Sequence, residues 1–117
     1  MTFDFYLGGY GRDTYRLKLE GSMLRCSEYM GVPSENDKFV NVDGSKDWEM
    51  VLVFLKTCAW QKRYYDNFIC DGTQWELKAK GVGFNIKSYG SNSYPDNFKE
   101  FVATINKLLA VAGIRIA

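Results

Sequence analysis

Gln74-Trp75-Glu76-Leu77-Lys78-Ala79-Lys80-Gly81-Val82-Gly83-Phe84-Asn85-Ile86-Lys87-Ser88-Tyr89 reads as two strands around a glycine turn. Trp75, Leu77 and Ala79 alternate with Gln74, Glu76, Lys78 and Lys80, the period-2 pattern of a strand with one buried face. Gly81-Val82-Gly83 closes the hairpin, and Phe84, Ile86 and Ser88 then alternate with Asn85, Lys87 and Tyr89. A ribbon of this kind is apolar on one side, so another layer of the chain must cover it.

The same pattern recurs upstream. Phe3, Phe5 and Leu7 alternate with Asp4 and Tyr6. Beyond Gly8-Gly9-Tyr10-Gly11, Tyr15, Leu17 and Leu19 alternate with Thr14, Arg16, Lys18 and Glu20. Gly21-Ser22 is a tight-turn signal, and Met23 to Tyr29 reads as the third strand of a meander. Gly31 to Gly44 is the longest irregular stretch, with room for a short strand at Lys38–Val42. Ser45 is a candidate helix N-cap, with Asp47 and Glu49 at the positive end of the dipole. Trp48, Val51, Leu52, Leu55, Cys58 and Ala59 follow at helical spacing. Met50, Val53 and Phe54 are apolar as well, so the segment is either a helix buried on more than one side or partly a strand; its length and its cap favour the helix. Tyr94-Pro95-Asp96 opens a second helix, with Pro95 near its first position. Phe98, Phe101, Val102, Ile105, Leu108, Leu109 and Ala112 form its apolar stripe, and Gly113 is its stop. Residues 1–117 thus read as one α+β domain. Its two layers are a mostly antiparallel sheet of about five strands and two helices on one face.

Composition agrees. The 117 residues are 46% hydrophobic, 16% aromatic and 25% charged, which is globular and not disordered. Fifteen Lys and Arg oppose fourteen Asp and Glu, a net charge of +1 that removes the simplest argument for nucleic acid or membrane as partner. Histidine is absent, and with it the commonest general base and metal ligand. The cysteines, Cys26, Cys58 and Cys70, are odd in number and scattered, as expected of a reducing compartment. Met1-Thr2-Phe3-Asp4-Phe5 lacks a signal-peptide pattern, and the longest apolar run, Met50 to Leu55, falls well short of the ~18 residues of a membrane span. A cytoplasmic protein is expected.

Nothing in the motifs asks for catalysis. Gly8-Gly9-Tyr10-Gly11 lacks the Lys-Ser/Thr pair and following helix of a phosphate loop, and reads as a hairpin loop. Cys26 and Cys58 read as packing residues, and Cys70 as the one near the surface; none has a His to activate it. Asp43 with Asp47, and Glu35 with Asp37, fit turn and helix-dipole requirements. No catalytic, cofactor-binding or metal-binding residue is assigned, and the chain is read as no enzyme.

Two surfaces remain. Arg16, Lys18, Lys78, Lys80 and Lys87 share the outward sheet face with Tyr6 and Tyr89, a combination used by single-stranded RNA binders. Asp4, Glu20 and Glu76 lie among them, which suits an ordinary solvated face. The other surface is the cluster Trp60, Tyr64, Tyr65, Phe68, Trp75 and Tyr94, either a core corner or an interface. Lys62-Arg63-Tyr64-Tyr65 is its best match to a protein-binding hot spot, with Arg63 and Tyr64 as the leading pair.

Trp60, Tyr64 or Tyr65, Asp71-Gly72-Thr73-Gln74-Trp75-Glu76-Leu77 and Lys87-Ser88-Tyr89-Gly90-Ser91-Asn92-Ser93-Tyr94-Pro95-Asp96-Asn97-Phe98 carry a likeness. Together they resemble a pattern of small uncharacterised bacterial and phage proteins, departing from it at Ala79, where Ile or Val is usual. That resemblance implies an α+β domain with a C-terminal helix, and no reaction. The expected function is a small non-enzymatic protein that occludes a protein partner. Immunity proteins and phage inhibitors of host defence, anti-CRISPR proteins included, are built at this size. The alternative is a nucleic-acid-associated module using the basic sheet face.

Overall fold

A computed structural model describes residues 1–9, 13–29, 37–66 and 72–116. In chain order the elements are β1 (Thr2–Gly9), β2 (Thr14–Glu20), β3 (Met23–Tyr29), β4 (Lys38–Asn41), α1 (Lys46–Lys56), β5 (Arg63–Tyr65), β6 (Thr73–Gly81), β7 (Phe84–Ser91) and α2 (Phe98–Leu109). A short 3-10 turn, Ala110–Ala112, follows α2.

The strands form one seven-stranded sheet in the order β4-β3-β2-β1-β6-β7-β5, and not the sheet of about five that the alternation suggests. The two further strands lie at the edges: β4, with four residues, falls where a short strand at Lys38–Val42 has room, and β5, with three, is the one outside the sequence reading. Runs so short hardly show a period of two. Every neighbouring pair is antiparallel except β5, which runs parallel to β7.

Alternation on β1 dictates where the helices go. Phe3, Phe5 and Leu7 are all buried. Phe3 meets Trp48 of α1 edge-on at 5.4 Å, while Phe5 meets Phe101 of α2 at 5.0 Å. Both helices therefore cover the same face, and among the described residues no helix covers the other. Each such ring contributes about 1.5–3 kcal/mol by leaving water.

Helix α1 is capped as its sequence suggests, the Ser45 hydroxyl accepting from the Trp48 N–H at 3.1 Å. Its burial is narrower than expected: Trp48, Val51 and Leu55 form the buried stripe, while Met50 and Val53 face solvent. The helix ends at Lys56, so Cys58 and Ala59 lie beyond it. Helix α2 begins at Phe98 behind Asn97, which puts Pro95 outside it in a turn whose carbonyl accepts from the Phe98 N–H at 3.0 Å. Gly113, at φ 70°, takes the left-handed conformation that ends the 3-10 turn. The Asn106 side chain then pins the backbone of the buried Ile116, donating to its carbonyl at 2.8 Å and accepting from its N–H at 2.7 Å.

Candidate functional site

Strand register sets out the uncovered face row by row. One row runs Phe39, Arg25, Lys18, Asp4, Lys78, Lys87. Beside it runs Ser27, Arg16, Tyr6, Glu76, Tyr89, Arg63. Arg63 and Tyr65 join this face because β5 lies against β7, with Arg63 opposite Tyr89 and Tyr65 opposite Ser91. The Arg63 guanidinium lies over the Tyr89 ring, 5.7 Å from its centroid. Tyr65 is 62% exposed and Tyr89 36%.

Tyr64 turns the other way. Adjacent residues of a strand point to opposite faces, so Arg63 and Tyr64 cannot present to one partner. The Tyr64 ring is half-buried, 5.8 Å from the Trp75 ring, and its hydroxyl accepts from the Gln61 N–H at 2.9 Å. Lys62 is exposed in the bend just before β5. The aromatic cluster divides in the same way. Trp60 and Trp75 meet at 5.3 Å beneath α2 and Tyr64 joins them, while Tyr65 and Tyr94 are exposed. Phe68 lies outside the described residues. Gly90 lets this corner close, because a Cβ there would collide with the indole nitrogen of Trp75.

Charge is distributed unevenly over the face. On β1–β4, Arg16 donates twice to Asp4, at 3.2 and 2.8 Å, and Arg25 reaches both Asp37, at 2.7 Å, and Glu20, at 3.4 Å. The bond from Arg25 holds the Asp37 carboxyl below its ordinary value. On β5–β7 the one ion pair among the described residues is Lys78 with Glu76, at 3.3 Å. Lys80, Lys87 and Arg63 have none there. Arg25 and Phe39, which also make a cation–π contact at 5.9 Å, were not legible in the sequence because the register of β3 was not.

The remaining chemical candidates are placed as follows. A hollow of about 520 Å³ near the C-terminus has Asp13, Glu28, Lys38 and Cys26 in its walls. Burial pushes the Cys26 thiol up to about 11, so at neutral pH it is protonated and a weak nucleophile. Burial raises Cys58 as well, and both are free thiols. Cys70, Glu35 and the Tyr10-Gly11 part of the glycine loop lie outside the described residues. Asp43 is exposed after β4 and Asp47 sits in the first turn of α1. Among the described residues, no helix is long and apolar enough to cross a membrane. No protein-family model, curated protein or solved structure matches the chain significantly.

Proposed function

We propose that this chain is a small non-enzymatic protein that acts by occluding a protein partner, in the manner of immunity proteins and phage inhibitors of host defence. The partner sits on the uncovered face at β5–β7. One observation carries the reading: Arg63 over Tyr89, with the exposed Tyr65 beside them, groups a guanidinium and two phenol rings on a face that no helix among the described residues covers. Arginine and large aromatics are the residues on which protein interfaces concentrate their energy. The arginine is already braced by the ring, so it loses less freedom on binding. Free thiols at Cys26 and Cys58 support a reducing, cytoplasmic setting.

The nucleic-acid alternative draws on the same face through its lysines. Two features weigh against it. Glu76 lies between Tyr6 and Tyr89 in the register, where it would meet any phosphate track. Arg63 covers one face of Tyr89, a ring that a base would need for stacking.

A photo-crosslinking residue at Tyr65, expressed in cells of the native host, tests the proposal. A discrete protein adduct is expected at position 65 and none at Met50, which is exposed on α1 behind the sheet. Adducts at Met50 alone would move the interface to the helical face, and an adduct to nucleic acid at 65 would replace the reading.

A further inference from the structure

Resting on that reading, we infer that the surface recognised by β5–β7 is rich in carboxylates. Lys78 stands directly opposite Lys87 across the β6–β7 ladder. Like charges so placed destabilise a sheet, and a cross-strand pair brings its Cβ atoms to about 4.5–5.5 Å. Glu76 answers only the Lys78 amine, leaving Lys87, Lys80 and Arg63 on the same face without an ion pair among the described residues. Across the sheet the contrast is plain. There Arg16, Lys18 and Arg25 face Asp4, Glu20 and Asp37, as many carboxylates as cations. In a chain whose net charge is only +1, this half of the face sets Lys78, Lys80, Lys87 and Arg63 against Glu76 among the described residues.

These cations act together. Neighbouring strands lie about 4.8 Å apart, so Lys78 and Lys87 sit well inside one screening length, ~8 Å at physiological salt, and Arg63 on the next strand lies about one such length from Lys87. Their combined field favours an anionic partner, steers its approach and disfavours a basic one. Carboxylates are the complement that fits the rest of the site. Arg63 can take one in a bidentate contact, the lysines take them as point charges, and Tyr65 and Tyr89 supply apolar contact between.

The probe is a labelled oligoglutamate peptide, titrated into the full chain by fluorescence anisotropy beside an oligothymidine of matching charge. The peptide should bind, weaken with added salt, and lose about 10-fold or more in affinity with Lys80→Glu and Lys87→Glu together. Lys80→Gln with Lys87→Gln should give a smaller loss in the same direction. Lys18→Glu, on the balanced half, should change affinity by less than about 2-fold. All these side chains are exposed, and matching thermal melts will show that the variants fold. No peptide binding, or binding indifferent to Lys80 and Lys87, overturns the inference. Oligothymidine binding more tightly than the peptide overturns it in favour of nucleic acid. If the Tyr65 adduct forms in either of the first two cases, the protein-binding face stands and only the acidic partner falls. If that adduct is missing too, the face itself is wrong.

Discussion

The Asn97 side chain, at the N-cap of α2, does not cap the helix; its oxygen accepts the indole N–H of Trp60 at 2.6 Å. Trp60 is also stacked on Phe98 at 5.8 Å and edge-on to Phe101 at 5.4 Å. The segment entering β5 is thereby fastened to the start of α2. From there Gln61 holds Tyr64 through its N–H and receives the Ser88 hydroxyl on its carbonyl. An edge strand of three residues has little ladder of its own, and these side chains hold it in place. Arg63 and Tyr65 owe their position to them.

Trp60→Phe keeps a six-membered aromatic ring and removes the donor together with the pyrrole part of the indole, and Asn97→Ala removes the acceptor. A double-mutant cycle should give a coupling of about 1 kcal/mol, the usual net worth of such a bond. Strict additivity in urea denaturation would show that Asn97 serves the helix alone.

Tyr64 and Tyr65 should separate cleanly by stability. Tyr64→Ala empties a half-buried site against Trp75 and should cost about 1–3 kcal/mol. Tyr65→Ala, on the solvent face, should stay within about 0.5 kcal/mol. Similar denaturation midpoints for both variants would reverse the facing of β5.

Phe101 touches Phe5 at 5.0 Å, Phe54 at 5.4 Å and Trp60, and is fully buried. It joins sheet, α1 and α2. Phe101→Ala should cost about 3–5 kcal/mol, and a loss below about 1 kcal/mol would contradict the two-layer packing.

How far the sequence could be read follows from the range of each interaction. The β6–β7 hairpin, β1 and the stripe of α2 were legible because their apolar residues repeat within a few positions and the turn glycines are local. Strand β5 was not, since its pairing with β7 is parallel and non-local, and Arg63-Tyr64-Tyr65 alone looks like part of a loop. The Arg63–Tyr89 contact is hidden for the same reason, and adjacency in sequence pairs Arg63 with Tyr64 instead. Pro95-Asp96 resembles a helix start, but a tertiary bond from Trp60 occupies Asn97 and α2 begins at Phe98. The signs of the outward charges could be read from alternation. Their division into balanced and unbalanced halves needed the strand order, which places β6 beside β1.

Cys26 gives a pH-dependent prediction whose sign is fixed. In the folded chain its thiol is pushed from 9.0 to about 11, first by burial and then by the Asp37 charge. A raised pKa means that the folded state holds the proton where the unfolded state has lost it. Its contribution is complete below pH 9 and declines as pH rises toward 11, by about 1.4 kcal/mol per unit and up to about 2–3 kcal/mol in all. Other groups titrate in that window, so the useful quantity is the stability difference between the natural chain and Cys26→Ala. At pH 8 that difference reflects packing and the weak bond from the Cys26 S–H to the Leu24 carbonyl; by pH 10.5 it should have shrunk by on the order of 2 kcal/mol. Cys58 is present in both chains and cancels. Thiol labelling gives an independent check: in the folded protein Cys58, half-buried, should react before Cys26, which is 5% exposed. A difference that holds constant across this range, with Cys26 reacting as fast as Cys58, would mean that Cys26 reaches solvent in the folded chain and that the sheet beneath the C-terminal segment is open.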